Sequence, residues 1–339
     1  MALINAGINL GFGFVKVATD NGEFRYASVV RERSRADPLS SASPAQEVKY
    51  GGQLYEVGED AALYGGGIQL KALYRDWANS LAYQVLAQSV IDRLAGEGNQ
   101  FNVVVGLALD HFKRAVYRQQ VQQFWQRTWP TKRGRVNVKQ ATVVPEPLGS
   151  ARILSADPDF ASIIAHTDAL LVDFGRLTTN WMRMHRGNPV PDQSGSVDCS
   201  VTAALDKATS KLAAALSRPQ LDPVDVEMAW LDKTVILSRD SPRRPVKVGE
   251  AIKEGARRVW PSIEQALKNS VDARGMDVIV VGGGAIIFQE LLKESLPESK
   301  IIVPGGDPQM INCRGFLKLA TTQELKAKPA VGNSKEQRQ

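Results

Sequence analysis

Two cysteines and three histidines in 339 residues leave little room for thiol or metal chemistry. Cys199 and Cys313 stand far apart, with no paired spacing and no histidine near either, so neither a zinc site nor a disulfide framework is supported. Both are expected to be buried thiols. His111, His166 and His185 read as surface or packing residues, which disfavours histidine-based hydrolysis. No apolar run approaches the ~20 residues of a membrane span, and residues 1–8 lack the basic start and long apolar segment of a signal peptide. A cytoplasmic protein is expected. Charge of one sign is also scarce: 42 Lys and Arg against 36 Asp and Glu leave a formal net charge of +6. The excess is concentrated in a turn with Lys132, Arg133 and Arg135 and in a proline-containing loop with Arg243, Arg244 and Lys247. Neither interleaves aromatic residues with its charges, so both read as solvated loops rather than a nucleic-acid groove.

What is present is a chain of 43% hydrophobic and 23% charged residues, in the range of a globular protein and long enough for two domains. Its centre is Leu171–Thr179, reading LVDFGRLTT. A strand ending in an acid, a glycine that allows a tight turn, and two hydroxyls entering a second strand make a hairpin suited to holding phosphate. A similar unit opens the chain, with a strand over Leu3–Asn9, a turn over Leu10–Phe14 containing Gly11 and Gly13, and an outgoing strand carrying Lys16. Either alone reads equally as an ordinary hairpin. Two of one design, half a chain apart, predict two halves facing each other across a nucleotide.

Between them, Glu23–Val30 alternates as a third strand, Arg31–Gln46 is a polar loop, and Glu47–Tyr50 and Gln53–Val57 flank Gly51-Gly52 as a hairpin that extends the first sheet. Tyr64–Gly67 breaks the chain, and Trp77 to Leu94 has helical periodicity. Phe101–Leu109 reads as a strand buried on both faces, as in a parallel sheet covered by helices; Asp110 is placed to cap the next helix. Val136–Val144 is a strand that delivers Glu146 between Pro145 and Pro147, either as a rigidly held catalytic carboxylate or as the start of a helix, where an acid suits the dipole. In the second half Ser194–Cys199 reads as a turn, Val201–Leu216 and Lys247–Asn269 as helices, and Asp277–Val281 as a strand running into Gly282-Gly283-Gly284 and a helix, which opens backbone to a ligand. The spacing of these glycines is not that of a dinucleotide fingerprint. Ile301–Val303 is a last strand and Met310–Ala320 a helix returning to the first half.

Taken in order, Asn9-Leu10-Gly11 with Lys16, Glu146 after its strand, Asp173-Phe174-Gly175 with Thr178, Gly282–Gly284, and Ile311-Asn312 with Gly315-Phe316 resemble the actin-like ATPases, and within them the bacterial plasmid-segregation branch of ParM and StbA. The resemblance covers about residues 3–322. It implies an α/β actin-like fold of the actin, Hsp70 and sugar-kinase type, with two related domains of mixed sheets flanked by helices around a nucleotide cleft. Domain I would comprise residues 1–150 and 310–325, domain II residues 151–309, and 326–339 a disordered tail.

The resemblance further implies that Gly11, Gly13 and Lys16 form the first phosphate loop and Asp173, Gly175 and Thr178 the second, Asp173 holding Mg²⁺ through its waters. Glu146 would orient the attacking water, Gly282, Gly283 and Gly284 would form the adenosine loop, and Glu250 and Lys253 would lie near the ribose and base. The family has aspartate where this chain has Asn9. Asparagine still accepts a bond from a metal-bound water but adds no charge, so nucleotide binding with weakened Mg²⁺ affinity or hydrolysis is expected. The implied function is a filament that polymerises with ATP (GTP being possible), hydrolyses it, and moves DNA through a DNA-binding adaptor on a centromere-like site, with no direct membrane binding. A small-molecule kinase of the same fold would need an aspartate base, for which no acid has a recognisable setting. A non-hydrolysing actin-like scaffold is the other alternative.

Overall fold

The apolar run Ile4–Leu10 forms strand β1, and the chain turns through Gly11–Gly13 into β2 (Phe14–Thr19), antiparallel to it, so that Asn9 faces Lys16. In this computed structural model, residues 3–33, 45–64, 74–240 and 242–322 are described. Most of the polar loop expected over Arg31–Gln46, the break after Tyr64 and the tail 326–339 lie outside them. β3 (Gly22–Ala27) extends the first sheet. The strand expected to reach Val30 instead ends at Ala27, because Ser28 is drawn back by its backbone N–H to Gly13 O and by its hydroxyl to Gly11 O. The chain restarts as β4 (Val30–Glu32). β5 (Gln46–Tyr50) and β6 (Gln53–Val57) form the hairpin expected around Gly51-Gly52, yet they join β4 in a separate three-stranded sheet rather than the first one.

After α1 (Glu59–Tyr64) and a short 3₁₀ turn holding Trp77, Ser80 caps α2 (Leu81–Leu94) by accepting from Tyr83 N–H. Trp77, expected in that helix, instead anchors the turn to β1 through its indole N–H on Leu10 O at 2.8 Å. β7 (Gln100–Leu107) lies parallel to β1. Asp110 falls in the first turn of α3 (Leu109–Lys113) and makes no cap, and the chain bends at Arg114 into α4 (Ala115–Trp125). β8 (Thr128–Thr131) and β9 (Gly134–Pro145) complete a sheet of order β3-β2-β1-β7-β9-β8, the basic Lys132-Arg133 turn joining the last two.

The second half opens with α5 (Glu146–Leu154) and α6 (Pro158–His166), then β10 (Asp168–Phe174), β11 (Thr179–His185) and β12 (Asn188–Val197). The turn expected at Ser194–Cys199 is mostly the end of β12. Its small residues make room for the ring of Trp181, which stands opposite Gly195. Next come α7 (Val201–Ala215), α8 (Pro223–Leu231) and an unforeseen hairpin of β13 (Val235–Leu237) and β14 (Pro245–Lys247), so Lys247 ends a strand rather than starting a helix. α9 (Gly249–Ser270), β15 (Asp277–Val281), α10 (Ala285–Ser295), β16 (Lys300–Ile302) and α11 (Ile311–Thr321) follow.

The second sheet runs β12-β11-β10-β15-β16, and this repeats β3-β2-β1-β7-β9 pairing for pairing: two antiparallel neighbours, then two parallel ones. Each sheet buries its own apolar cluster against helices, Val85, Leu86, Val90 and Ile91 of α2 on the first and Leu205, Leu212, Ile252 and Val259 of α7 and α9 on the second. The connecting helices cross over. Ala151 and Leu154 of α5, which leaves the first sheet, pack with Leu171 and Met182 of the second. Cys313 and Phe316 of α11, which leaves the second sheet, pack with Val104 and Val144 of the first. Where the two helices cross, a Cβ on Gly315 would stand 1.8 Å from Gly149 O, so only glycine at both positions permits the contact. Cys313 is the buried thiol expected, and burial pushes it up to about 12; Cys199 is half-buried. Among the described residues no helix is long and apolar enough to cross a membrane.

Candidate nucleotide site

The repeated sheets place their strand ends, and therefore their hairpin turns, around one cleft. From the first sheet come Asn9, Gly11, Gly13 and Lys16; from the second, Asp173, Gly175 and Thr178. Both turns close on the same bond: Gly11 N–H donates to Phe14 O at 3.2 Å, and Gly175 N–H to Thr178 O at 2.9 Å. Gly282, Gly283 and Gly284 line the cleft beside the second turn. Gly282 has φ 86°, and a Cβ there would meet Asp173 Oδ1 at 2.2 Å, so the loop must be bare for strand β15 to end against the acid. Gly284 N–H then bonds Phe174 O at 2.8 Å and α10 begins.

Glu146 is both things its sequence setting allowed, the first residue of α5 and a carboxylate facing the cleft. Pro145 pairs in register with Leu107 at the end of β7, which fixes where α5 starts. Asn180 Nδ2 donates to Glu146 Oε2 at 3.1 Å and to Thr178 Oγ1 at 3.2 Å, while its Oδ1 accepts Leu109 N–H at 3.0 Å. This fully buried amide ties the water-orienting candidate, the second hairpin and the first half together. Desolvation of the Glu146 carboxyl, then the nearby Asp173 charge, push it up to about 7, against the opposing pull of Lys16 and of hydrogen bonds from Asn9 and Asn180. Asp173 is also pushed up by burial, with Lys16 and the amide of Asn312 opposing.

Asn9 Oδ1 is buried with no hydrogen-bond partner. Among the described residues no group of three or more His, Cys, Asp or Glu is placed to hold a metal ion. A cation here could be held by Asp173 and Asn9 through water together with a ligand's own oxygens, and the unpartnered Asn9 Oδ1 fits that use. Glu250 and Lys253 are not brought to the cleft: they pair with each other at 2.9 Å on the exposed first turn of α9. Lys247, Val248 and Gly249, just before them, line an adjoining cavity of about 850 Å³ with Trp230, Lys233 and Thr234. Arg176, Glu227 and Trp230 also line the main cleft and are new relative to the sequence reading. Arg176 is the one basic residue inside LVDFGRLTT; Glu227 and Trp230 carry no such local signal.

Residues 7–149 match the family model of the N-terminal domain of actin-like proteins, and residues 171–294 that of the C-terminal domain of the archaeal MreB-like actin homologue. The chain is an actin-like protein. Its fold is shared by a 15-stranded ParM filament from Clostridium botulinum (16% identity, TM-score 0.72, covering 94% of this chain and 99% of that one). A MamK double helical filament (17% identity, TM-score 0.70, 95% and 99%) is similar as well. So is Ta0583, an archaeal actin homolog in complex with ADP (18% identity, TM-score 0.67, 94% and 99%). A search of curated proteins by sequence finds no match. In this actin-like protein the cleft thus combines two backbone turns, one lysine, one arginine, two carboxylates of raised proton affinity and a glycine loop.

Proposed function

We propose that this actin-like protein binds ATP with Mg²⁺ between its two hairpins, polymerises in that form, and hydrolyses the nucleotide to ADP and phosphate to turn the filament over. The observation that carries the reading is the convergence of the Gly11–Gly13 and Gly175–Thr178 turns on one cleft with Glu146 between them. In that arrangement Lys16 and the turn N–H groups bind the phosphates, Gly282–Gly284 approach the nucleoside, and Glu146, in its ionised form, accepts a proton-side hydrogen bond from the attacking water and orients it. Mg²⁺, when bound, supplies charge to the terminal phosphates. Asn9, in place of an acid, makes hydrolysis slow, and this favours a long-lived filament over a fast-cycling one.

Self-assembly is supported by an apolar face on the small region of α8 and β13. Val224, Met228 and Leu231 repeat at helical spacing and Val235 and Leu237 alternate on the adjoining strand, all exposed. Following the resemblance to the segregation branch, the filament works in the cytoplasm and separates plasmid or other mobile DNA through a DNA-binding adaptor, leaving the basic loops to protein contacts. Right-angle light scattering recorded with phosphate release, after ATP and Mg²⁺ are added together, tests this. A rise in scattering followed by slow phosphate release is expected, and Met228→Asp should raise the critical concentration at least about tenfold without changing the melting temperature. Scattering that stays flat at every protein concentration and nucleotide would remove the filament reading.

A further inference from the structure

The second turn carries a side chain that phosphate binding by backbone and lysine does not use. Arg176 follows Gly175, and its carbonyl is fixed by Thr202 N–H at 2.8 Å. Its aliphatic stem crosses the cleft to the first turn, where a Cβ on Gly13 would lie 2.6 Å from Arg176 Cδ. Its Nη1 donates to both carboxylate oxygens of Glu227 on α8, each at 2.6 Å. One arginine side chain therefore links both hairpin turns, its stem against Gly13 and its guanidinium on Glu227, to helix α8. Arg176 and Lys16 are the only Lys or Arg side chains among the described residues lining the cleft, against the acids Glu146, Asp173 and Glu227.

The Arg176–Glu227 pair is partly open to water, at 27% and 15% exposure, so its attraction is screened and the guanidinium can exchange partners. A nucleoside triphosphate bound at the two turns would bring several negative oxygens to the same place. A guanidinium fork fits a terminal phosphate with two parallel bonds and more charge than one carboxylate offers. A diphosphate bound at the same turns would lack that terminal group and would leave Arg176 with Glu227.

Resting on the nucleotide reading above, we propose that Arg176 is a phosphate-reading arginine supplied in cis, which leaves Glu227 for the terminal phosphate of a nucleoside triphosphate and thereby frees α8. Glu227 competes with the ligand for Arg176. Triphosphate and diphosphate are then told apart by this exchange, and the released helix is the one that exposes Val224 and Met228.

Binding of fluorescent AMPPNP and fluorescent ADP to the full chain, at fixed salt and below the polymerisation threshold, tests the exchange. Arg176→Ala should weaken AMPPNP about 10- to 100-fold, as loss of a charged hydrogen-bonded pair does, and ADP less than about threefold. Arg176→Lys, which keeps the charge without the fork, should fall between. Glu227→Gln should tighten AMPPNP about three- to tenfold, a gain that disappears when Arg176→Ala is added. Equal weakening of both nucleotides by Arg176→Ala, or weakening of AMPPNP by Glu227→Gln, would make the pair a structural brace and overturn the proposal. Should Arg176→Ala fail to fold, Arg176→Lys and Glu227→Gln carry the same comparison. Wild-type protein that binds neither analogue would overturn the nucleotide reading itself, and the proposal with it.

Discussion

Asn312 joins the two sides of the cleft through one amide: its Nδ2 donates to Asp173 Oδ2 at 2.6 Å, and its Oδ1 accepts the Ser150 hydroxyl at 2.6 Å and the Ser150 N–H at 3.2 Å. Asp173 is the penultimate residue of β10, Ser150 lies in α5 and Asn312 in α11, and all three are buried. Two buried groups, one an acid, depend on this side chain. Asn312→Ala should therefore cost about 2–4 kcal/mol in urea unfolding, because it leaves both without a partner. Asn312→Asp should be worse at pH 8 than at pH 5, since it sets a second carboxylate against Asp173. A loss below about 0.5 kcal/mol for the alanine variant would show that the amide is dispensable.

Glu146 gives a pH dependence of definite sign. Folding raises its proton affinity from the ordinary 4.5 to about 7, so the folded state keeps a proton that the unfolded chain releases. Any stability tied to the protonated form is complete below about pH 4.5 and is lost as pH rises through 7. Glu146→Gln, neutral at every pH, should raise stability at pH 8 by up to about 3 kcal/mol, at ~1.4 kcal/mol per tenfold change in proton affinity, and by nothing at pH 4. The same substitution should lower phosphate release at least about 100-fold, since an amide is a poor acceptor for the water's proton. Thermal melts at the two pH values, beside a phosphate assay, read both effects.

The chemistry-bearing turns were legible because they rest on local grammar: an apolar run, an acid or amide, glycines, then hydroxyls or a lysine. The same grammar failed where a small residue faces a large one across a sheet. Ser194–Cys199 reads as a turn because the ring of Trp181, which faces Gly195, is about 14 residues away and invisible to spacing. Asn180 carried no signal either, since its three bonds go to Glu146, Thr178 and Leu109 from different elements. β14 absorbs Lys247, so α9 starts at Gly249, and Glu250 and Lys253 pair with each other in solvent beside the cavity that Lys247, Val248 and Gly249 line. The separate sheet of β4, β5 and β6 depends on Ser28 turning the chain back to the first hairpin turn, a contact between residues that look unremarkable alone.

The crossing of α5 and α11 makes a sharp case of sterics against propensity. In an isolated helix, glycine to alanine is favourable by about 1 kcal/mol. Here a methyl group on Gly315 would overlap Gly149 O at 1.8 Å, and one on Gly149 would meet Asn312 O at 2.4 Å, both of them backbone atoms that cannot swing aside. Gly315→Ala should thus destabilise by about 3 kcal/mol or more and should loosen Asn312 from Asp173. Chemical denaturation measures the first effect. A neutral or stabilising outcome would mean that the helices separate freely, and the crossing would then not hold the two halves in register.

Asn9 is the position where charge, metal and stability meet. Its amide acts as a donor toward the Glu146 carboxyl, opposing the rise in that group's proton affinity, and its Oδ1 has no partner. Asn9→Asp removes that donor and places a third acid beside Glu146 and Asp173, which should drive the proton affinity of Glu146 higher still and lower metal-free stability by about 1–3 kcal/mol at pH 8. A divalent cation relieves the same repulsion, so Mg²⁺ should raise the melting temperature of the variant more than that of the wild type. With nucleotide present, hydrolysis by the variant should become faster and more steeply dependent on Mg²⁺. The melts separate two roles for the amide. If Mg²⁺ restores the variant, Asn9 stands where a metal-bound water would lie and the missing acid sets the slow rate. If the variant is destabilised and Mg²⁺ does not restore it, Asn9 serves instead as a neutral donor beside Glu146.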